Sequence, residues 1–235
     1  MLGIILAGGE GTRLRPLTYT VPKPLIDVQG KTLTEQVIDL LKSFGVSEIV
    51  LSLGYMAEKI KDHFGDGSKF GIPISYLIEE KQMGTAGPLL LLREKKSLPK
   101  TSFMMVNGDN LFNVNYKAWS EVHKRHSSVA TIALTKVEDP SSRGAVKVEG
   151  NKITEFAEKP KEGRAPSNLV SSGYYILSPD IFQYLPDGDH VMMETNIFPA
   201  LASAGKLYGY ADEGQWFDTG TPERYEQVKN KWKPI

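Results

Sequence analysis

The chain has 235 residues, long enough for one large α/β domain or two small ones around a continuous core. Its 28 Lys and Arg against 28 Asp and Glu leave a formal net charge of zero, which speaks against non-specific nucleic-acid or membrane-surface binding while leaving room for a local basic pocket. The absence of cysteine excludes disulfides, thiolate-bound zinc and thiol nucleophiles. With no basic stretch before the short apolar N-terminus and no run near the about 18 apolar residues that span a bilayer, the expectation is a soluble cytoplasmic protein.

Residues 2–7 form an apolar run of strand length. Thr32 and Glu35 make a capping box, and Leu33, Val37, Leu40, Leu41 and Phe44 mark one face of the helix that follows, which Gly45 ends. EIVLSL at 48–53 predicts the next strand and 56–64 a short helix. Further strands are expected at 74–78, 103–106 and 129–134, with helices at 87–96 and 116–126. This alternation over the first 135 residues is the pattern of a doubly wound, Rossmann-like α/β fold: a mixed, mostly parallel sheet flanked by helices. Beyond Pro140 the texture changes. Residues 145–160 predict two strands around a Gly150-Asn151 turn, 174–177 and 207–210 two more, with helices near 179–184 and 196–204. Thr221, with Pro222 at the first helical position, opens a last helix. No internal repeat or domain-separating linker is present, so the second half is expected to pack as a lobe of one unit, with a ligand cleft between the halves.

The stretch LAGGEGTRLRPLT, 6–18, carries three glycines in four residues at the end of the first strand, the carboxyl edge where open α/β sheets bind ligands. Glycine lets backbone N–H groups approach an anion without Cβ interference, and Arg13 and Arg15 would supply matching charge. The competing reading is a glycine-rich turn with solvated arginines. Two familiar phosphate loops fail here: a G-x-G-x-x-G from Gly9 finds Leu14 at its third glycine, and no G-x-x-x-x-G-K-S/T occurs. Just beyond, Pro22 and Pro24 hold Lys23 on a stiff loop.

Together these stretches resemble the sugar-1-phosphate nucleotidyltransferases, or NDP-sugar pyrophosphorylases, whose signature is G-G-x-G-T-R-L-x-P-L-T followed by P-K-P. GTAGPL (84–89), VNGDN (106–110), FAEKP (156–160), SSGYYIL (171–177) and WFDTGTPERY (216–225) match in order, so the resemblance covers essentially the whole chain. It implies an enzyme joining a nucleoside triphosphate to a sugar-1-phosphate with release of pyrophosphate. About 1–135 would be the nucleotide-binding half and about 136–235 the sugar-binding half of a single 1–235 catalytic domain.

The resemblance also implies roles. Leu6, Ala7, Gly8, Gly9, Gly11, Thr12 and Gly108 would line the nucleotide site, with Arg13 stabilising charge on pyrophosphate and Lys23 neutralising oxygens near the α-phosphorus. Asp109 and Asp218 would hold a Mg2+ ion. The competing readings of these two are a strand-end aspartate in a turn and a residue merely upstream of the last helix. Lys159 would meet the sugar phosphate, Glu158 would accept from sugar hydroxyls, and Gly144, Asn168 and Gly173 would lie near the sugar ring. Glu79, with Gly84 and Thr85, falls where thymidylyl- and uridylyltransferases carry glutamine. A carboxylate only accepts hydrogen bonds and guanine offers paired N–H donors, so Glu79 tilts the base toward GTP and the sugar toward mannose-1-phosphate, as in the mannose-1-phosphate guanylyltransferases. Glu80 is an alternative counterpart, and thymidylyl or uridylyl transfer to glucose-1-phosphate an alternative reaction.

Other candidates yield blander readings. His123 and His126 lie three apart without a third ligand and read as a solvated helix face; Asp187-Gly188-Asp189 reads as a turn; Tyr174 and Tyr175 read as core and cleft wall. A glycosyltransferase using a finished nucleotide sugar and a non-catalytic nucleotide-sugar sensor remain as competing classes, though neither needs Arg13 and Lys23 beside a leaving pyrophosphate. The chain ends soon after the last helix, so no C-terminal β-helix domain is expected. A homo-oligomer is compatible with the sequence, while no nucleic-acid or membrane partner is expected.

Overall fold

The computed structural model describes residues 1–234. In chain order the elements are β1 (Leu2–Leu6), β2 (Asp27–Val28), β3 (Lys31–Thr32), α1 (Leu33–Ser43), β4 (Glu48–Leu53), α2 (Ala57–Phe64), β5 (Ile74–Ile78), α3 (Gly87–Glu94), β6 (Phe103–Asn107), β7 (Asn110–Phe112), α4 (Tyr116–Arg125), β8 (Ala130–Lys136), β9 (Gly144–Glu149), β10 (Lys152–Glu158), β11 (Leu169–Leu177), α5 (Phe198–Ser203), β12 (Leu207–Ala211), β13 (Trp216–Asp218) and α6 (Pro222–Lys231). This is the mixed α/β sheet flanked by helices that the hydrophobic pattern predicts. Among the described residues, no helix is long and apolar enough to cross a membrane.

The chain forms two compact units that interleave in sequence: Met1–Lys81 with Met105–Asn113 and Gln215–Ile235, and Gln82–Met104 with Val114–Gly214. The partition differs from a division near residue 135: Gln82–Met104 and the chain from Val114 join the second unit, and the C-terminal segment joins the first. Trp216, Phe217 and Asp218 of β13 pair antiparallel with Phe112, Leu111 and Asn110 of β7, two short strands that the hydrophobic pattern did not single out. Gln29 Nε2 donates to the carbonyls of Lys229 and Trp232, Trp232 Nε1 to Gln36 Oε1, and Tyr225 Oη to the Asp27 carbonyl, tying α6 and the tail to residues near the N-terminus.

In the first unit β1, β4 and β5 run parallel in the order β5-β4-β1, with Leu2 beside Glu48 and Ile49 beside Ile74. These strands are short and apolar because a parallel sheet is covered on both faces; Ile4, Ile5, Leu51 and Leu53 are fully buried. α1 begins as expected, Thr32 accepting from the Glu35 N–H while the Glu35 side chain accepts from the Thr32 N–H. Its stripe of Leu33, Val37, Leu40 and Leu41 is buried.

The second unit is mixed: β11-β8-β12-β10-β9, in which only β8 and β12 run parallel. Strand β11 starts at Leu169, earlier than the 174–177 expected, and its register breaks between Ser171 and Tyr174. Gly173, at φ 85°, absorbs that bulge in a conformation costly for any side chain. Tyr174 and Tyr175 are core residues.

Candidate active site

In the first unit the glycine stretch leaves β1 and turns back on itself. Ala7 N–H still bonds the Ser52 carbonyl, but among the described residues the N–H groups of Gly9, Glu10 and Gly11 find no backbone acceptor. A Cβ on Gly9 would meet nothing within 4 Å, so this backbone is open, whereas one on Gly8 would press on Gly54 N at 3.1 Å. Gly11 sits at φ 63°, its carbonyl accepting from Thr18 Oγ1 at 2.8 Å, and a Cβ there would lie 3.2 Å from Lys23 Cβ. The turn is thus held by Thr18 and Lys23 while its N–H groups are left without backbone acceptors, as in loops whose backbone amides hold an anion. Arg15 is exposed, pairing with Glu10 at 3.2 Å and lying over the Tyr19 ring.

The end of β6 carries the matching chemistry. Gly108 N–H donates to the Leu6 carbonyl at 3.0 Å, and a Cβ on Gly108 would come within 2.6 Å of that oxygen; only glycine permits the approach that places Asp109 beside the glycine turn. Lys23 Nζ lies 2.6 Å from Asp109 Oδ2. Burial pushes the Asp109 carboxyl up, but the charge and hydrogen bond of Lys23 and the charge of Arg13 outweigh it and hold the group below its ordinary value. Arg13 itself stays exposed, with its guanidinium close enough that a Cβ on Gly220 would sit 3.1 Å from Nη2.

Asp218 joins the same cluster. It stands in register with Asn110, and both the N–H and Oγ1 of buried Thr219 donate to the Asp109 carbonyl, at 3.0 and 2.9 Å. Its Oδ1 accepts from Gly220 N–H and its Oδ2 from Arg224 Nη1, each at 2.6 Å. Two carboxylates, Asp218 opposite Asn110 and Asp109 one residue before it, the latter held ionised by a lysine, suit magnesium, which takes one or two carboxylates and completes its shell with water and phosphate oxygens. Among the described residues no group of three or more His, Cys, Asp or Glu is placed to hold a metal ion. Arg224 escaped the sequence reading. Its signal was there: a cation in the first turn of a helix opposes the macrodipole and needs a carboxylate beside it.

Glu79 follows β5 in this unit, its N–H on the Leu53 carbonyl and its Oε1 accepting from Ser52 Oγ at 2.7 Å. Glu80 is exposed.

The second unit holds the remaining candidates. Glu158 ends β10, and Lys159 follows at φ 44°, left-handed for a non-glycine residue, with its N–H on the Arg143 carbonyl. Such strain is tolerated where surrounding structure enforces it and is concentrated at functional positions. Lys159 Nζ lies 3.3 Å from Glu158 Oε1. A Cβ on Gly144 would lie 2.4 Å from the Phe156 ring and 3.2 Å from Glu158 Oε2, so glycine there keeps the end of β10 accessible. Asn168 is exposed, its carbonyl accepting from Val137 N–H. Gly84, at φ 79°, packs against the Val191 carbonyl, and the Thr85 hydroxyl donates to Glu194 and accepts from Met193 N–H. Thr85 is therefore engaged inside its own unit. Glu194, also unremarked from sequence, has its carboxyl pushed up by burial and by the charge of Glu158, against the hydrogen bond from Thr85 and the charge of Lys159.

One histidine differs from expectation and one does not. His123 is buried, Nε2 on Ser102 Oγ at 3.0 Å and Nδ1 on Thr131 Oγ1 at 2.9 Å, because α4 turns that face onto β8; His126 is exposed, as a solvated helix face requires, and stacks on Tyr208 at 4.4 Å. Asp187, Gly188 and Asp189 do form an exposed loop.

The family described as Nucleotidyl transferase matches residues 2–233. This chain belongs to that family. It is 38% identical over 231 residues to a mannose-1-phosphate guanyltransferase of Yarrowia lipolytica, and equally to mannose-1-phosphate guanyltransferase beta-A of Xenopus laevis; both alignments cover 96% of this chain. The chain spans 62% of the length of these curated relatives. Among solved structures, HddC from Yersinia pseudotuberculosis complexed with GMP-PN is 29% identical with a TM-score of 0.81, over 99% of both chains.

Proposed function

We propose that this chain transfers a nucleotidyl group from a nucleoside triphosphate to a sugar-1-phosphate, with GTP and mannose-1-phosphate as the preferred pair. The observation that carries the reading is the open glycine turn with Lys23 on Asp109 and Arg13 beside them. It puts unpaired backbone donors and two cations where a triphosphate would carry its charge. Membership of the family, the guanyltransferase relatives and a GMP-PN-bound structural neighbour support the same reading.

The reaction is an in-line displacement: a phosphate oxygen of the sugar-1-phosphate bonds to the α-phosphorus as the bond from that phosphorus to the bridging oxygen breaks, and pyrophosphate leaves with that oxygen. Two polyanions must meet, so positioning and electrostatics dominate. The N–H groups of Gly9 to Gly11 would cradle the triphosphate, Arg13 would face the leaving pyrophosphate and Lys23 the α-phosphate. Each such group contributes on the order of 3 kcal/mol to lowering a barrier of this kind. Asp109 and Asp218 would hold Mg2+, which when bound neutralises phosphate charge and orients the oxygens for attack. Glu158 would accept from sugar hydroxyls, Lys159 would meet the sugar phosphate, and Gly144, Asn168 and Gly173 would leave room for the ring. Glu79, oriented by Ser52, would accept from the paired N–H donors of guanine.

The test is a panel crossing four nucleoside triphosphates with several sugar-1-phosphates, read by pyrophosphate release. The expected maximum is GTP with mannose-1-phosphate. Another pair at the maximum moves the substrate assignment, and no release from any pair removes the activity.

A further inference from the structure

Both carboxylates placed at the metal already carry a cation of the chain: Lys23 on Asp109 Oδ2 and Arg224 on Asp218 Oδ2, each at 2.6 Å. Lys23 belongs to the glycine-turn chemistry; Arg224 lies outside it. It projects from the first turn of α6, where Thr221 Oγ1 accepts its own N–H and Pro222 starts the helix, so its backbone is fixed while its side chain reaches back six residues. The Arg224 side chain is about one-third exposed, at 32%, against 15% for that of Asp218. It therefore has solvent into which to withdraw, whereas Asp218 is anchored through Oδ1 by Gly220 N–H.

We infer that Arg224 is a positioning residue that occupies the Asp218 carboxylate when no metal–nucleotide is bound and competes with a divalent cation for it. The inference rests on Asp218 being a metal ligand. A guanidinium at hydrogen-bond distance takes up lone-pair density on Oδ2 and repels an incoming dication, so metal alone binds weakly. A triphosphate adds negative charge at the same place; the balance then turns toward the metal, and Arg224 swings to solvent or to a phosphate oxygen. The consequence is order: metal enters with the nucleotide rather than ahead of it.

Direct Mn2+ binding to nucleotide-free protein, followed by electron paramagnetic resonance, tests this without reference to turnover. Arg224→Gln is expected to bind Mn2+ about tenfold more tightly than the unaltered chain, the scale on which partners of metal-binding carboxylates act. Asp218→Asn is expected to lose that binding. Arg224→Met serves the same purpose where Gln disturbs the start of α6, and circular dichroism checks each fold. Unchanged or weaker Mn2+ binding on removal of the Arg224 charge, with binding still lost in Asp218→Asn, overturns the competition. Unaltered Mn2+ binding in Asp218→Asn overturns the metal assignment itself, and the competition with it.

Discussion

The charged groups of the two units are held in opposite ways. In the first, Lys23 is 12% exposed and closed onto Asp109 at 2.6 Å, and Asp218 is bonded through both carboxylate oxygens. In the second, Lys159 is 69% exposed and stands 3.3 Å from Glu158, an ion pair too solvated to stabilise the fold appreciably. The order in the second unit lies in the backbone, where Lys159 is held left-handed and Gly144 keeps space open. Groups that stabilise developing charge work best fixed in advance, because water then need not reorganise at the moment of reaction. A lysine that only captures a phosphate needs reach. The contrast is what the proposed division of labour requires: chemistry in the first unit, capture in the second.

The largest expected effect breaks the first side of this contrast. Asp109→Asn keeps the shape but removes the charge that Lys23 and a metal share; pyrophosphate release should fall by about a thousandfold, with the circular dichroism spectrum retained. Near-normal turnover would show that the preset cluster is not where the chemistry occurs. Lys159→Met should raise KM for the sugar phosphate by roughly 10- to 100-fold while leaving kcat and the melting temperature nearly unchanged, since an exposed side chain contributes little to stability. A large loss of Tm instead would mean that this lysine is structural.

A third experiment separates fold stability from the charged site. Burial, with a smaller push from Lys124, takes the His123 imidazole down to about 4, against about 6.5 in the unfolded chain. A base with a lowered folded pKa contributes stability above its unfolded pKa that is lost as pH falls toward the folded one. Between pH 7 and pH 5 the fold should lose about 2 kcal/mol from this group, and His123→Gln should flatten that part of the stability profile. An unaltered profile in this variant would assign the acid sensitivity to other groups. The smallest effect sharpens the substrate: Glu79→Gln should shift the triphosphate preference away from GTP by about tenfold in kcat/KM, because an amide can donate where a carboxylate cannot. No shift would leave the base to be read elsewhere.

Much of the site was legible because its backbone geometry is written in residue types. Glycines at 8, 11 and 108 announce close approaches, and the prolines around Lys23 announce a stiff support. Arg15 is less legible, because closeness in sequence to Arg13 says nothing of direction, and exposed Glu10 offers it a partner. His123 was misjudged because its helix face is set by what packs against it, and α4 places that face on β8. Thr85 lies in a motif attributed to nucleotide binding, yet its hydroxyl is spent on Glu194, a residue 109 positions away.

By itself the sequence determined the longer elements and their order: hydrophobic period, capping residues and glycine positions are local, and the physics that reads them acts over a few residues. What only the tertiary structure decided is which distant groups share charge. Asp109 comes to stand beside Asp218 because β13 adds to β7, and Arg224 reaches Asp218 because Thr221 sets the start of α6. Those pairings depend on long-range packing, and no local pattern encodes the distance between two residues that meet only once the chain has folded.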